Sequence, residues 1–243
     1  MSGPRGPASR LIPRRRERPA KAALLWTGGK DSALALHEVR SRGVEVAALV
    51  TFAPARGAFR AHPLRVMRQQ AKALGIPHRI VRLDPPYRLG YRRAFQKLGP
   101  RGIDTLVTGD LDRVGGRPNW IRSIAEPLGF RVLTPLWHRS RARILRQLQT
   151  SGFEIVFSYV RASSLGPEWV GRCLDARAEN ALHDAHRIRR VDLCGENGEY
   201  HTWVLDAPLF RSRLRLTGLS TREGRGGRWL HCRRVELVSK PRA

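Results

Sequence analysis

The 243-residue sequence predicts an α/β fold, a parallel sheet with crossover helices followed by a smaller C-terminal α+β domain. Three observations predict it. Short, almost wholly apolar runs alternate with longer segments of helical period through the first half of the chain, the pattern of strands covered on both faces by helices. Hydrophobic residues make up 41% of the chain, enough to bury a real core and to exclude a disordered polycation. After residue 110 the strand–helix rhythm loosens, which places the start of a second domain near residue 130.

The elements follow in order. Residues 1–20 carry six arginines and four prolines without the apolar centre of a secretory signal, and read as a disordered basic tail. The first domain, 21–130, opens with a strand at 22–26, the segment Thr27-Gly28-Gly29-Lys30-Asp31-Ser32, and a helix that ends at Gly43. A strand at 44–52, a helix at 63–74, a strand at 78–83, a helix at 87–98 and a strand at 103–108 lead to Gly109-Asp110. A polar loop at 112–119 and a short helix at 121–128 close it. The second domain, 131–243, reads as a strand at 131–136, a helix at 141–150, a strand at 153–160, a helix at 168–183, and then strands and turns. Ligands on parallel sheets bind at the carboxyl ends of the strands, so Thr27–Ser32 and Gly109-Asp110 are expected to share one crevice.

Charge and cysteines narrow the class. Lys+Arg number 46 against 20 Asp+Glu, a formal charge of +26, and only five of the cations are lysines. A nucleic-acid surface or an arginine-favouring codon bias would each produce this. The arginines are scattered along the sequence without clustering, which favours codon bias and leaves nucleic acid as an unfavoured partner. No run approaches the roughly 18 apolar residues of a membrane helix. Cys173, Cys194 and Cys232 give neither a disulfide framework nor a CxxC pair. A cytoplasmic protein is expected.

The segment Thr27–Ser32 carries the first chemical signal. Two glycines between a buried strand and a helix let backbone amides approach an anion, and the positive end of the helix points at the same place. Lys30 adds a charge, Ser32 a hydroxyl, and Asp31 suits a site in which Mg²⁺ bridges carboxylate and phosphate, or a helix cap. An ordinary strand-to-helix turn also uses Gly and Asp, but not with Lys and Ser in these places. The spacing is not that of a Walker A loop. The segment resembles the SGGKDS loop of the PP-loop ATP pyrophosphatases, with Thr27 for the first Ser. That resemblance implies a HUP/Rossmann-like nucleotide-binding domain and cleavage of ATP between the α and β phosphates. It also implies ATP-binding roles for Thr27, Gly28, Gly29, Lys30, Asp31, Ser32, Gly109 and Asp110, with Lys30 and Asp31 catalytic.

The second signal is an absence. Residues 191–210 contain no Lys or Arg and hold Asp192, Glu196, Glu199 and Asp206. At the chain's average, roughly four cations would fall in such a window. This suggests carboxylates kept without neutralising partners. Asn197-Gly198 is a hairpin-turn signal between 191–193 and 200–204, which does not explain the missing arginines. Glu196 and Glu199 are candidates to hold a divalent metal, an amine or a cationic substrate, with Tyr200 and Trp203 able to face a cation. Cys194 reads as a small buried residue and His201 as a structural one.

This window extends the resemblance. Gly195-Glu-Asn-Gly-Glu-Tyr-His-Thr202 and Asp206-Ala-Pro-Leu-Phe210, with Gly109-Asp110, Thr134-Pro-Leu-Trp137 and Leu165-Gly166, resemble the diphthine–ammonia ligase family over about residues 22 to 210. The resemblance implies substrate-binding positions at Glu196, Asn197, Glu199, Tyr200 and His201. It also implies an AMP-forming reaction in which ATP adenylates a carboxylate and free ammonia displaces AMP. The eukaryotic and archaeal signature runs E-G-G-E-[FY]-E-[TS]; Asn197 and His201 depart from it in the manner of bacterial members, for which a different acceptor, as in corrinoid salvage, is inferred. A tRNA-modifying PP-loop enzyme and a non-catalytic ATP-binding protein are the alternatives.

Overall fold

The computed structural model describes residues 21–56, 59–113 and 119–240. The expected basic tail at 1–20 lies outside the described residues, as does most of the expected loop at 112–119.

Strands β1 (Lys21–Leu25), β2 (Glu45–Pro54), β3 (His78–Leu83), β4 (Thr105–Val107) and β5 (Arg131–Leu133) form one parallel sheet in the order β3-β2-β1-β4-β5. Ala22, Ala23 and Leu24 are wholly buried because helices cover both faces of β1. The connecting helices are α1 (Lys30–Ser41), α2 (Leu64–Leu74), α3 (Tyr87–Gln96) and α4 (Trp120–Ala125). α2 stops where Gly75 turns left-handed at φ +67. The chain lays β2 and β3 on one side of β1, then returns to add β4 and β5 on the other. A crevice therefore opens at the carboxyl ends of β1 and β4, where the order reverses. The sheet runs on through Leu133.

The second half contributes α5 (Arg141–Thr150), β6 (Glu154–Arg161), α6 (Ala176–Arg189), β7 (Tyr200–Asp206), β8 (Arg213–Thr217), β9 (Ser220–Gly224), β10 (Gly227–His231) and β11 (Arg234–Val238). An antiparallel sheet runs β7-β6-β10-β9, and β8 pairs with β11. One apolar cluster joins Leu24, Leu36 and Met67 of the first half to Leu148, Phe157, Trp203 and Val204 of the second. α1 and α2 are thus packed between the two sheets. A second cluster, around Phe95, Ile121 and Ile124, seals the other face of the parallel sheet under α3 and α4. Among the described residues, no helix is long and apolar enough to cross a membrane.

Two expectations need correction. The helix expected at 168–183 is a single 3₁₀ turn at Pro167–Trp169 followed, after Gly171 at φ +84, by α6. Asp175 starts α6 by accepting the Ala178 N–H at 2.7 Å, so the helix runs on to Arg189. The expected 191–193/200–204 hairpin does not form. Gly195 and Gly198 have positive φ but Asn197 does not, so the two central positions of a type I′ turn are not both left-handed. Residues 191–193 form no strand, and β7 pairs with β6 instead.

Candidate active site

β1 carries the chain into the crevice, and the first glycine there is required by geometry. Gly28 sits at φ +73, and a Cβ on it would lie 2.3 Å from Gln70 Oε1 and 3.0 Å from Met67 Cγ. Gly29 caps α1 with extended backbone. The first N–H groups of a helix lack intrahelical acceptors. That of Lys30 donates to Thr202 Oγ1 at 3.1 Å, while Asp31 and Ser32, whose amides come next, line the crevice. The Ser32 hydroxyl donates to Gly29 O at 3.0 Å and accepts from Thr27 Oγ1 at 3.2 Å. Gly28 is held from behind: its carbonyl accepts the Val204 N–H at 3.1 Å and Gln70 Nε2 at 2.8 Å, and the same Nε2 donates to Val204 O at 2.8 Å.

The crevice is a cleft of about 290 Å³. It gathers Thr27, Asp31 and Ser32 from the loop, Thr108, Gly109 and Asp110 from the end of β4, and Glu196 from the second half of the chain. Gly109 meets α1 backbone to backbone: a Cβ there would stand 2.7 Å from Asp31 C and 2.8 Å from Ser32 N. Asp110 is oriented by the Thr108 hydroxyl at 2.8 Å and Asn119 Nδ2 at 2.6 Å. Phe52, Tyr91 and Trp120 form an aromatic wall, with Tyr91 stacked on Phe52 at 3.8 Å between ring centroids.

Lys30 faces the other way. Its buried Nζ donates to both Asp31 oxygens, at 2.8 and 3.0 Å, and to the Cys194 carbonyl at 2.5 Å. It lies over the Tyr200 ring at 5.3 Å. Burial by itself would lower the Lys30 pKa, but the Asp31 carboxylate, with smaller help from Cys194 and Glu196, offsets it and holds the ammonium above its ordinary value.

Within the window at 191–210 the carboxylates divide by task. Glu199 is buried and accepts the Asp192 and Asn197 N–H groups, both at 3.0 Å, and Asn197 Nδ2 at 3.2 Å. Asp192 accepts the Cys194 N–H at 2.8 Å. These two build the loop that aims the Cys194 carbonyl at Lys30 and Glu196 into the cleft. Burial, and then the Asp31 charge, raise the Glu196 pKa to about 7. The expectation of carboxylates without neutralising partners holds for neither Asp206, which pairs with Lys240 at 2.8 Å, nor Asp192, which lies 3.5 Å from Arg141. Those cations come from outside the window, where sequence proximity cannot show them.

Of the expected substrate residues, Glu196 is in the cleft, Asn197 belongs to the turn, and Tyr200 is buried with its hydroxyl donating to Leu193 O at 2.5 Å. His201 lies beside the cleft, its ring 4.8 Å from that of His62, whose Nδ1 is 2.9 Å from Thr27 O. Burial, with the neighbouring cations Lys30 and Arg161, lowers the His201 pKa to about 4. Burial and then His201 lower that of His62 to about 3, so both rings are neutral at physiological pH. Sequence reasoning missed Gln70, His62 and the aromatic wall, and gave Thr202, the last residue of the Gly195–Thr202 signature, no role. Gln70 had a signal, being a polar residue within the buried stripe Val66, Met67, Ala71 and Leu74 of α2.

The family model described as diphthamide synthase N-terminal domain matches residues 20–132, and the one described as diphthamide synthase C-terminal domain matches 140–238. The human protein named diphthine–ammonia ligase is 25% identical over 225 residues, covering 80% of this chain and 82% of that one. The zebrafish (Danio rerio) protein of that name is 32% identical over 102 residues, 42% of this chain and 40% of its own. The Schizosaccharomyces pombe protein is 32% identical over 97 residues, 40% of this chain and 16% of its own. The chain thus spans less than half of the zebrafish and yeast proteins. A Methanocaldococcus jannaschii structure described as a predicted subunit of tRNA methyltransferase aligns at TM-score 0.44 and 18% identity over 78% of this chain and 98% of that one, too loose a likeness to carry a functional argument. With both family models matched in order over nearly all of the described residues, the chain belongs to the diphthamide synthase family.

Proposed function

We propose that this protein is an ATP-dependent, AMP-forming ligase that joins ammonia to a carboxylate. The observation that carries this reading is the meeting, in one cleft, of the first-turn amides and hydroxyls of Thr27–Ser32 with Glu196 from the far half of the chain. The amides of Asp31 and Ser32, with the Thr27 and Ser32 hydroxyls, hold the phosphates. Lys30 fixes the Asp31 carboxylate and places a charge behind the loop, and Asp110 faces the same phosphates from the end of β4.

Magnesium fits this site together with the nucleotide. Among the described residues no three His, Cys, Asp or Glu side chains converge to hold a metal ion. Magnesium commonly takes only one or two carboxylates and completes its shell with substrate phosphates and water, and Asp31 and Asp110 are the carboxylates that would hold it. When bound, the ion neutralises charge developing between the α and β phosphates.

The acceptor carboxylate oxygen attacks the α-phosphorus, the bond to pyrophosphate breaks, and an acyl adenylate forms. Ammonia nitrogen then bonds to the acyl carbon, AMP leaves, and Glu196 takes the proton. The acceptor is diphthine on a protein or a carboxylic acid of small-molecule size. Asn197 and His201, which depart from the eukaryotic and archaeal signature, favour the second. The three free cysteines suit a reducing cytoplasm.

Pyrophosphate release from ATP, screened against carboxylic acids with and without ammonium, tests the reading. AMP and pyrophosphate are the expected products; ADP and orthophosphate would overturn it. Gly109→Ala drives a Cβ into the backbone of Asp31 and Ser32, where no flexible side chain can yield. The shift should lower kcat/KM about 10²-fold, the usual cost of a misplaced reacting group. Unchanged kinetics would show that this contact does not set the loop.

A further inference from the structure

Apart from the catalytic cleft, a groove of about 790 Å³ runs along the edge strand β3 and helix α3. Five cations line it: Arg79 and Arg82 on β3, Arg93 on α3, Lys97 at the cap that ends it, and Arg101 just beyond. Asp84 is the one acid among its lining residues. Among the described residues, none of the five is paired with a carboxylate, although other arginines of this chain do find partners, as Arg122 does in Glu126 and Arg213 in Glu154. The scatter seen along the sequence becomes a cluster once β3 and α3 pack together.

The groove continues toward the active site. A second hollow, of about 240 Å³, shares Leu83 with the groove and Phe52, Tyr91 and Trp120 with the catalytic cleft. Its rim carries two aromatic rings open to solvent, Tyr87 at 50% exposure and Trp120 at 42%. Arg82 and Arg101 donate only to the carbonyls of Pro54 and Lys97, and an exposed Trp and Tyr at the end of a row of cations without carboxylate partners among the described residues are poorly explained by core packing. Together they make the combination that holds single-stranded polynucleotides, cations along the backbone and flat rings under the bases. An acidic peptide would use the cations but gain little from the ring faces.

We propose that the β3–α3 groove and the Tyr87–Trp120 shelf bind a single-stranded polynucleotide whose end approaches the catalytic cleft. The binding does not depend on which acceptor the enzyme amidates, and is read without ATP. Fluorescence anisotropy with a labelled twelve-nucleotide RNA, and a DNA of the same sequence, should show binding by at least one; binding by neither overturns the proposal. Five phosphate contacts predict a slope of log K against log salt of about −3.5, a loss of roughly 100-fold between 50 and 200 mM salt. Arg93→Ala with Lys97→Ala should bring the slope to about −2. Arg143→Ala with Arg146→Ala on α5, exposed and equal in charge removed, should leave it unchanged. Tyr87→Ala should weaken binding at least about five-fold through lost stacking. If the α5 pair costs as much as the groove pair, the attraction is only that of a +26 chain and the proposal falls. It also falls if poly-glutamate competes as well as RNA and Tyr87→Ala has no effect, since the partner is then an acidic protein.

Discussion

Lys30→Met should destabilise the protein by about 3 kcal/mol, the low end of the cost of breaking a buried ion pair, because the Asp31 carboxylate left behind still reaches water at the cleft. Against total stabilities of about 5–15 kcal/mol this is a large share. The loss is larger than for a surface pair because Nζ also satisfies the buried Cys194 carbonyl and lies over Tyr200, so three groups lose a partner at once. The denaturant midpoint should fall with the slope unchanged, and pyrophosphate formation should disappear. The pH dependence has a definite sign. The Lys30 pKa is raised on folding, so its contribution is complete below the unfolded value of 10.5 and is lost only as pH rises through the higher folded value. A midpoint unchanged within error at neutral pH would show that the pair holds nothing together.

Glu196→Gln should reduce amide formation by about 10²–10⁴-fold, the range of general-base contributions. It should leave adenylation, read as exchange of pyrophosphate into ATP in the absence of ammonium, within a small factor of the parent. Burial and the Asp31 charge place the Glu196 pKa at about 7, so below that pH the carboxyl is protonated and cannot accept the ammonia proton. The parent rate should rise with pH through about 7, beyond whatever rise the free-ammonia supply imposes, and Glu196→Gln should lose that rise. Equal loss in both half-reactions would make Glu196 a ligand of the nucleotide rather than a base for ammonia.

The parts of this molecule written in local sequence were legible. Gly28-Gly29 between an apolar run and a helix can be read because the φ of +73 at Gly28 and its contact with Gln70 leave no other residue type. The alternation of buried strands with amphipathic helices gave the parallel sheet, and His78–Leu83 and Arg141–Thr150 fell where their periodicity put them. What could not be read depended on distant partners. Lys30 looks like a phosphate ligand in sequence; its side chain turns inward because a carbonyl 164 residues away accepts it. Glu196 and Glu199 are equivalent as letters, and only the turn closed by Gly195 and Gly198 sends one into the cleft and the other into the loop's own amides. The gap in basic residues was real, but it marks a scaffold of carboxylates that accept backbone N–H groups, with a single carboxylate left facing the cleft.

The hydrogen bonds from Val204 and Gln70 to the Gly28 carbonyl, and from Lys30 to Thr202 and Cys194, have a genetic consequence. A gene cut after codon 139 would still encode every strand of the parallel sheet and the whole glycine segment, yet of the supports that hold that segment in place its product would keep only Gln70. The two coding halves therefore behave as one locus. A change at codon 28 finds its suppressors near codons 67 to 70 and 204, and one at codon 30 near codons 194 to 202, so recombination between diverged copies should be tolerated least when the crossover separates the two halves.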